Sequence, residues 1–250
     1  SPEVLQELYS LTPEQKAQMK EFLKKVPMQV EAVDNGLIFD IIVKLFHGTD
    51  SALVRIAQYH TNIVLVQKNE KTVYEAKKDG GTGCADNAEE TGMTGKNLLN
   101  IKDILDFANT CDIEDVKPIL DPQIQCNTAI SEEGLLGNYG ANIGSVLLKT
   151  YGSDIKNRAV AKAAAGSDAR MNGCEMPVVI CSGSGNQGIT ASVPVWRYGL
   201  FLGADEENIL RAVALSDLIT IHQKTGIGRL SAYCGAVSAG VGAGCGVAWL

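Results

Sequence analysis

The chain lacks the marks of several large protein classes. Its Lys and Arg never cluster beyond Lys24-Lys25 and Lys77-Lys78, and its formal charge is -7. A basic stripe that would neutralise phosphates is therefore missing, which argues against a nucleic-acid partner and favours a small molecule. Histidine occurs three times only, as His47, His60 and His222, so few side chains titrate near neutrality. The seven cysteines, at 84, 111, 126, 174, 181, 234 and 245, include no Cys-x-x-Cys pair, which leaves zinc-ribbon and thioredoxin-type readings without support. An odd, scattered set also makes a disulfide framework improbable and leaves reduced thiols or metal ligands. Ser1-Pro2-Glu3 carries no initiating Met and no basic-then-apolar leader, so a cytoplasmic protein whose true start lies upstream is expected. No charge occurs from Ser231 to Leu250, but Gly and Ala dominate that run. We read it as a close-packed interior helix and expect no membrane partner.

The 250 residues suffice for one large or two small domains and show no internal period. Thr12-Pro13-Glu14-Gln15 reads as an N-cap followed by Pro at the first helical position, opening a helix to about Lys25. The period then changes to that of strands. In Leu37 to Phe46 the residues Phe39, Ile41, Val43 and Leu45 share one face. Ala52 to Val66 is a second β-rich run after the turn Gly48-Thr49-Asp50, and a short third strand falls at Thr72 to Glu75. Residues 76–96 are rich in Gly, Thr, Asp and Glu and read as a loop or insertion. Beyond it helical patterns follow one another: 101–109, 113–120, 124–136, 143–151, 154–165, 187–201, 205–223 and 230–250. The expected class is α+β: a helix plus small antiparallel β unit over 1–75, the loop, and a mostly α-helical domain over 97–250.

One segment stands out chemically. Cys181-Ser182-Gly183-Ser184-Gly185-Asn186-Gln187-Gly188 follows the apolar run Met176 to Ile180. Its glycines let main-chain N–H groups approach a ligand closely, and Ser182, Ser184, Asn186 and Gln187 add side-chain donors. With a helix beginning near Gln187, such a loop suits a small anion, for example a carboxylate. The competing reading is a sharp turn beside a buried cysteine.

Three stretches together, His60-Thr61-Asn62-Ile63-Val64, Ser167-Asp168-Ala169-Arg170-Met171, and Cys181 to Gly188 with Arg229-Leu230-Ser231-Ala232, resemble the L-cysteine desulfidase family, related to the alpha chain of iron–sulfur L-serine dehydratase. Ser131-Glu132-Glu133-Gly134-Leu135 agrees as well, and the likeness runs from about Leu11 onward. The resemblance implies an oxygen-sensitive lyase that eliminates sulfide from L-cysteine or water from L-serine using a [4Fe-4S] cluster. It also implies an amino-terminal Glu-Cys-Thr-Glu-Pro-type segment and a further cysteine-containing carboxyl-terminal region. Neither occurs in this sequence, so a piece of a longer protein is expected.

Within that resemblance the substrate cradle is Ser182, Gly183, Ser184, Gly185, Asn186 and Gln187, and the candidate cluster thiolates are Cys181, Cys234 and Cys245, with Cys174 in reserve. Eleven positions along one straight helix would set Cys234 and Cys245 about 16 Å apart, too far to share one cube. A cluster thus demands a break, which Gly235, Gly240, Gly242, Gly244 and Gly246 would permit. The same glycines fit an unbroken buried helix in which Cys245 is a small packed side chain. His60 is the candidate catalytic base, while His222 reads as a complement to a helix C-terminus and His47 as turn chemistry. Asp168 and Arg170 orient substrate or pair with each other, the ion pair being the simpler reading. A non-catalytic amino-acid-binding or regulatory piece of the same family is the alternative function, and the oligomeric state, homo-oligomer or not, stays open.

Overall fold

A computed structural model describes residues 10–58, 62–76, 98–228 and 232–250. The chain divides into two compact units, Met19–Thr91 and the remainder, Ser1–Gln18 with Gly92–Leu250.

The smaller unit holds a four-stranded antiparallel sheet in the order β1 (Asp40–His47), β2 (Asp50–Ala57), β3 (Ile63–Lys68) and β4 (Lys71–Glu75). Alternation of apolar residues makes these strands, and pairing aligns Val43, Val54, Val66 and Tyr74 in one row across all four. The sequence suggests one run from Ala52 to Val66; the structure divides it into β2 and β3, with Gln58 in a left-handed conformation just past β2. Tight turns set the register. Gly48 at φ +60° is the first central residue of the β1–β2 turn, and Asn69 and Glu70, both at positive φ, join β3 to β4. Asp40 and Arg55 lock β1 to β2 through two parallel hydrogen bonds of 2.9 and 2.8 Å. The arginine raises the preference for ionised Asp40, whose pKa is lowered.

Helix α1 (Pro13–Lys25) opens with Pro as expected, and Thr12 Oγ1 accepts from the Gln15 N–H at 3.2 Å. The larger unit contains α2 (Ile101–Thr110), α3 (Ile113–Leu136), α4 (Ile143–Tyr151), α5 (Ile155–Met171), α6 (Gly185–Leu202), α7 (Glu206–Thr225) and α8 (Ala236–Trp249). Asn100, Asp112, Asp154 and Asp205 cap four of them through side-chain oxygens. The patterns at 113–120 and 124–136 prove to be one helix, α3, that runs through Pro118 and Pro122. Ile113 and Val116 before the prolines pack on the same core as Leu120 and Ile124, so packing holds the helix together where local propensity would divide it.

Helix α6 is central, packing on α3, α5, α7 and α8. On one side Val195 joins Leu120, Ile124, Ile209, Leu210, Val213 and Ala243; on another Ile189 and Val193 join Ile130, Ala163, Ala169 and Val178. Small residues let the backbones close in. In α8, Gly242 lies against the Ser216 carbonyl and Thr220 Oγ1 of α7, and Gly246 against Ala212 and Val195, whereas Gly240 and Gly244 face open space. No helix of the described residues is long and apolar enough to cross a membrane.

Candidate functional site

The segment entering α6 is a tight two-residue turn. Cys181 and Ser184 exchange backbone hydrogen bonds of 3.2 Å in both directions, with Ser182 at φ +49° and Gly183 at φ +90° between them. Two consecutive positive φ values define the primed turn that glycine favours, and Ser182 adopts it at a steric cost of roughly 1–2 kcal/mol. Ser184 is the N-cap of α6 but makes no side-chain cap bond. The N–H groups of Gly185, Asn186 and Gln187 find no acceptor among the described residues, the first intrahelical bond being Gly188 N–H to Ser184 O. Bare donors and the positive end of the helix dipole thus coincide there.

The turn is fastened from behind by Asn127 of α3. Its Oδ1 accepts from Val179 N–H at 2.9 Å, and its Nδ2 donates to Val179 O at 3.1 Å and Ser192 Oγ at 3.2 Å. Gly188 presses directly on the Val179 carbonyl, where a Cβ would collide. A fully buried side chain and a glycine contact together set where residue 181 lies.

Cys181 is buried, and its thiol donates to the Asp217 backbone carbonyl on α7 at 3.8 Å. Burial, reinforced by the neighbouring Asp217, pushes the thiol pKa well up, so the group is protonated as it stands. Burial likewise pushes the Asp217 carboxyl up to about 6, opposed by the hydrogen bond from Gln123. Gln123 Nε2 donates to Asp217 Oδ1 at 3.0 Å. Among the described residues two buried amide oxygens, Gln123 Oε1 and Gln187 Oε1, have no hydrogen-bond partner. Gln187 Nε2 donates to Ser182 O at 3.3 Å, and since a carbonyl only accepts, that bond fixes which way the amide faces.

The predicted site residues divide as follows. Residues 181–187 form one continuous turn and helix start, and the chain after Cys234 returns to it, because Gly235 lies against the Gln187 amide where no Cβ would fit. Cys234 is exposed. Cys245 lies far along α8, which is unbroken from Ala236 to Trp249, and it packs beside Ile104, Ala108, Leu215 and Ile219. Nine residues of helix put it about 13 Å along the axis from Ala236. Cys174 packs with Tyr139 and Met176 against a different cluster. Among the described residues no three His, Cys, Asp or Glu side chains gather as a metal site. With Cys245 held far along an unbroken α8 in a separate cluster, the three thiols as arranged do not fit one cluster. His60 lies outside the described residues.

Asp168 and Arg170 do not pair as the simpler reading had it. Asp168 Oδ2 instead accepts from Ile143 N–H at 2.8 Å at the start of α4, and Arg170 Nη1 donates to Asn186 Oδ1 at 3.2 Å. Asp217, Gln123 and Asn127 were not singled out from the sequence. The one signal available was the polar stripe Gln123, Asn127, Ser131 at four-residue spacing on an otherwise apolar face.

The larger unit thus brings a glycine-rich helix start, the Cys181 thiol and the half-buried Asp217 carboxyl together. The comparisons give it a family: the model for the serine dehydratase alpha chain matches residues 6–250, and the chain belongs to that family. Similar proteins include a UPF0597 protein of Desulfitobacterium hafniense, 49% identical over 250 residues, covering 100% of this chain and 56% of the relative. Another, from Lachnoclostridium phytofermentans, is 46% identical over 246 residues, or 98% of this chain and 57% of the relative. A third, from Fusobacterium nucleatum, is 41% identical over 236 residues, or 92% and 54%. The chain thus spans about half the length of the curated relatives it matches. No solved structure matches it.

Proposed function

We propose that the chain forms the amino-acid-binding part of a β-eliminating lyase that acts on L-cysteine or L-serine. The observation that carries this reading is the first turn of α6, which among the described residues has three N–H groups without acceptors and a buried Gln187 amide oxygen without a donor. The first arrangement suits a carboxylate and the second an ammonium, the two handles every free α-amino acid offers. Membership of the serine dehydratase alpha chain family supports elimination as the chemistry.

In such a reaction a base removes the Cα proton, and the electrons of that bond form the Cα=Cβ bond as the Cβ–S or Cβ–O bond breaks. The leaving group takes its own bonding pair and a proton to depart as hydrogen sulfide or water. The resulting enamine tautomerises and is hydrolysed to pyruvate and ammonia. Ser182, Gly183, Ser184, Gly185, Asn186 and Gln187 hold the substrate in this reading, and His60 is the candidate base. The [4Fe-4S] cluster, with Cys181, Cys234 and Cys245 as its thiolates, belongs to this reading only on condition that α8 opens between Ala236 and Cys245.

The separation of the three thiols favours a second reading, an amino-acid-binding part without catalysis. One experiment decides between them. Full-length protein prepared without oxygen is assayed for iron and acid-labile sulfide, and for release of sulfide from L-cysteine and pyruvate from both amino acids. Turnover is the expected result; binding without product supports the second reading, and binding of neither amino acid refutes both.

A further inference from the structure

We propose that Arg170 is the specificity residue for the substrate's carboxylate, an inference that rests on reading residues 182–187 as an amino-acid cradle. Arg170 sits in the last turn of α5 and is half-buried. Its Nη1 donates to Asn186 Oδ1 at 3.2 Å and to the Met171 sulfur at 3.6 Å. Its Nε and Nη2 make no hydrogen bond among the described residues, and no described carboxylate forms an ion pair with it. Asp168, the acid nearest in sequence, is committed to the Ile143 N–H on the other side of α5.

The Arg170 side chain, at its Cδ, Nε and Cζ, occupies the space beside the Gly185 backbone. A Cβ at that position would overlap Arg170 Nε and stand 2.8 Å from its Cδ and 2.9 Å from its Cζ. Glycine at 185 therefore lets a planar, permanently charged fork reach the same first turn whose N–H groups lack acceptors. Those donors and the guanidinium together make a two-sided carboxylate site, with charge-assisted bonds on one side and helix amides on the other. An independent observation points to a ligand at the same turn. Gln187 is 2% exposed and its Oε1 has no donor, while its Nε2 is held on Ser182 O. A buried acceptor without a partner is costly unless a ligand supplies the missing donor, and an α-ammonium does so. The ligand class is thus an α-amino acid with both charged groups free.

The test uses full-length protein prepared without oxygen and measures equilibrium binding of L-serine, L-cysteine and L-serine methyl ester. The unaltered protein binds the free acids and discriminates against the ester. Arg170→Gln weakens binding of the acids about ten- to hundredfold and leaves ester binding unchanged, and Arg170→Lys restores part of the loss. The inference is overturned by an Arg170→Gln protein that binds the acids as tightly as before, by equal loss of acid and ester, or by an unaltered protein that accepts ester and acid alike or binds neither acid. Turnover is read separately. The expected binding pattern without pyruvate release removes the lyase reading and leaves the Arg170 assignment standing; turnover with an indifferent Arg170→Gln does the reverse.

Discussion

Replacing single glycines of α8 by alanine separates two physical effects that act in opposite directions. In a helix interior Ala is favoured over Gly by about 1 kcal/mol because the folded backbone loses less freedom. At Gly240 nothing lies within 4 Å of the added methyl, so that gain stands alone. At Gly242 the same gain is opposed. The methyl would fall on the Ser216 carbonyl and on Thr220 Oγ1, and it would approach the Ser216 carbonyl carbon to 3.2 Å. Neither oxygen can turn aside, since Thr220 Oγ1 donates to Ser216 O at 2.8 Å in a fully buried setting. The two helices would have to part, at a cost of about 1–3 kcal/mol or more for overpacking. Gly240→Ala should therefore raise the melting temperature by about 2–4 °C, and Gly242→Ala should lower it by about as much or more. Thermal unfolding followed by Trp196 and Trp249 fluorescence checks both, as both tryptophans belong to the helical unit. Shifts of the same sign in the two variants would refute the assignment of which face of α8 meets α7.

Other outcomes follow from the same geometry. Asn127→Ala strands the N–H and C=O of Val179 without their partners and should cost about 2–4 kcal/mol in urea unfolding; a loss below about 1 kcal/mol would contradict the anchoring role. Gly185→Ala should displace the flexible Arg170 side chain with little effect on stability yet reduce amino-acid affinity about tenfold, and unchanged affinity would count against the cradle. The Asp40 pKa is depressed in the folded sheet, so its stabilisation is present above the unfolded value of about 4 and is lost as pH falls through the lower folded value. The protection factors of β1 and β2 amides, exchange rates corrected for the intrinsic pH dependence, should accordingly fall below about pH 4, and Asp40→Asn should remove most of that pH dependence.

What the sequence revealed and what it hid have physical reasons. Caps such as Asp205 with Glu206 and Glu207 act within one turn, so α7 was visible locally. The 181–188 loop was visible because glycines and hydroxyls interrupt an apolar run. The continuity of α3 was not, because prolines oppose it locally and only contacts with distant helices outweigh them. Asp217 was hidden for the same reason: it lies 36 positions from Cys181, and a charged residue on a helix resembles a solvated one until its neighbours are known. The state of α8 could not be decided either way, since four glycines between Cys234 and Cys245 weaken a helix and also let it pack closely.

Because one amide grips both polar atoms of Val179, the address of the turn is written in α3 and not in the length of chain leading to it. The Cys174 and Met176 side chains pack upstream of that grip, but neither holds residue 181. The thiol at 181 and the helix start behind it keep their place because their position is set by contacts with α3 and not by the stretch of chain before them.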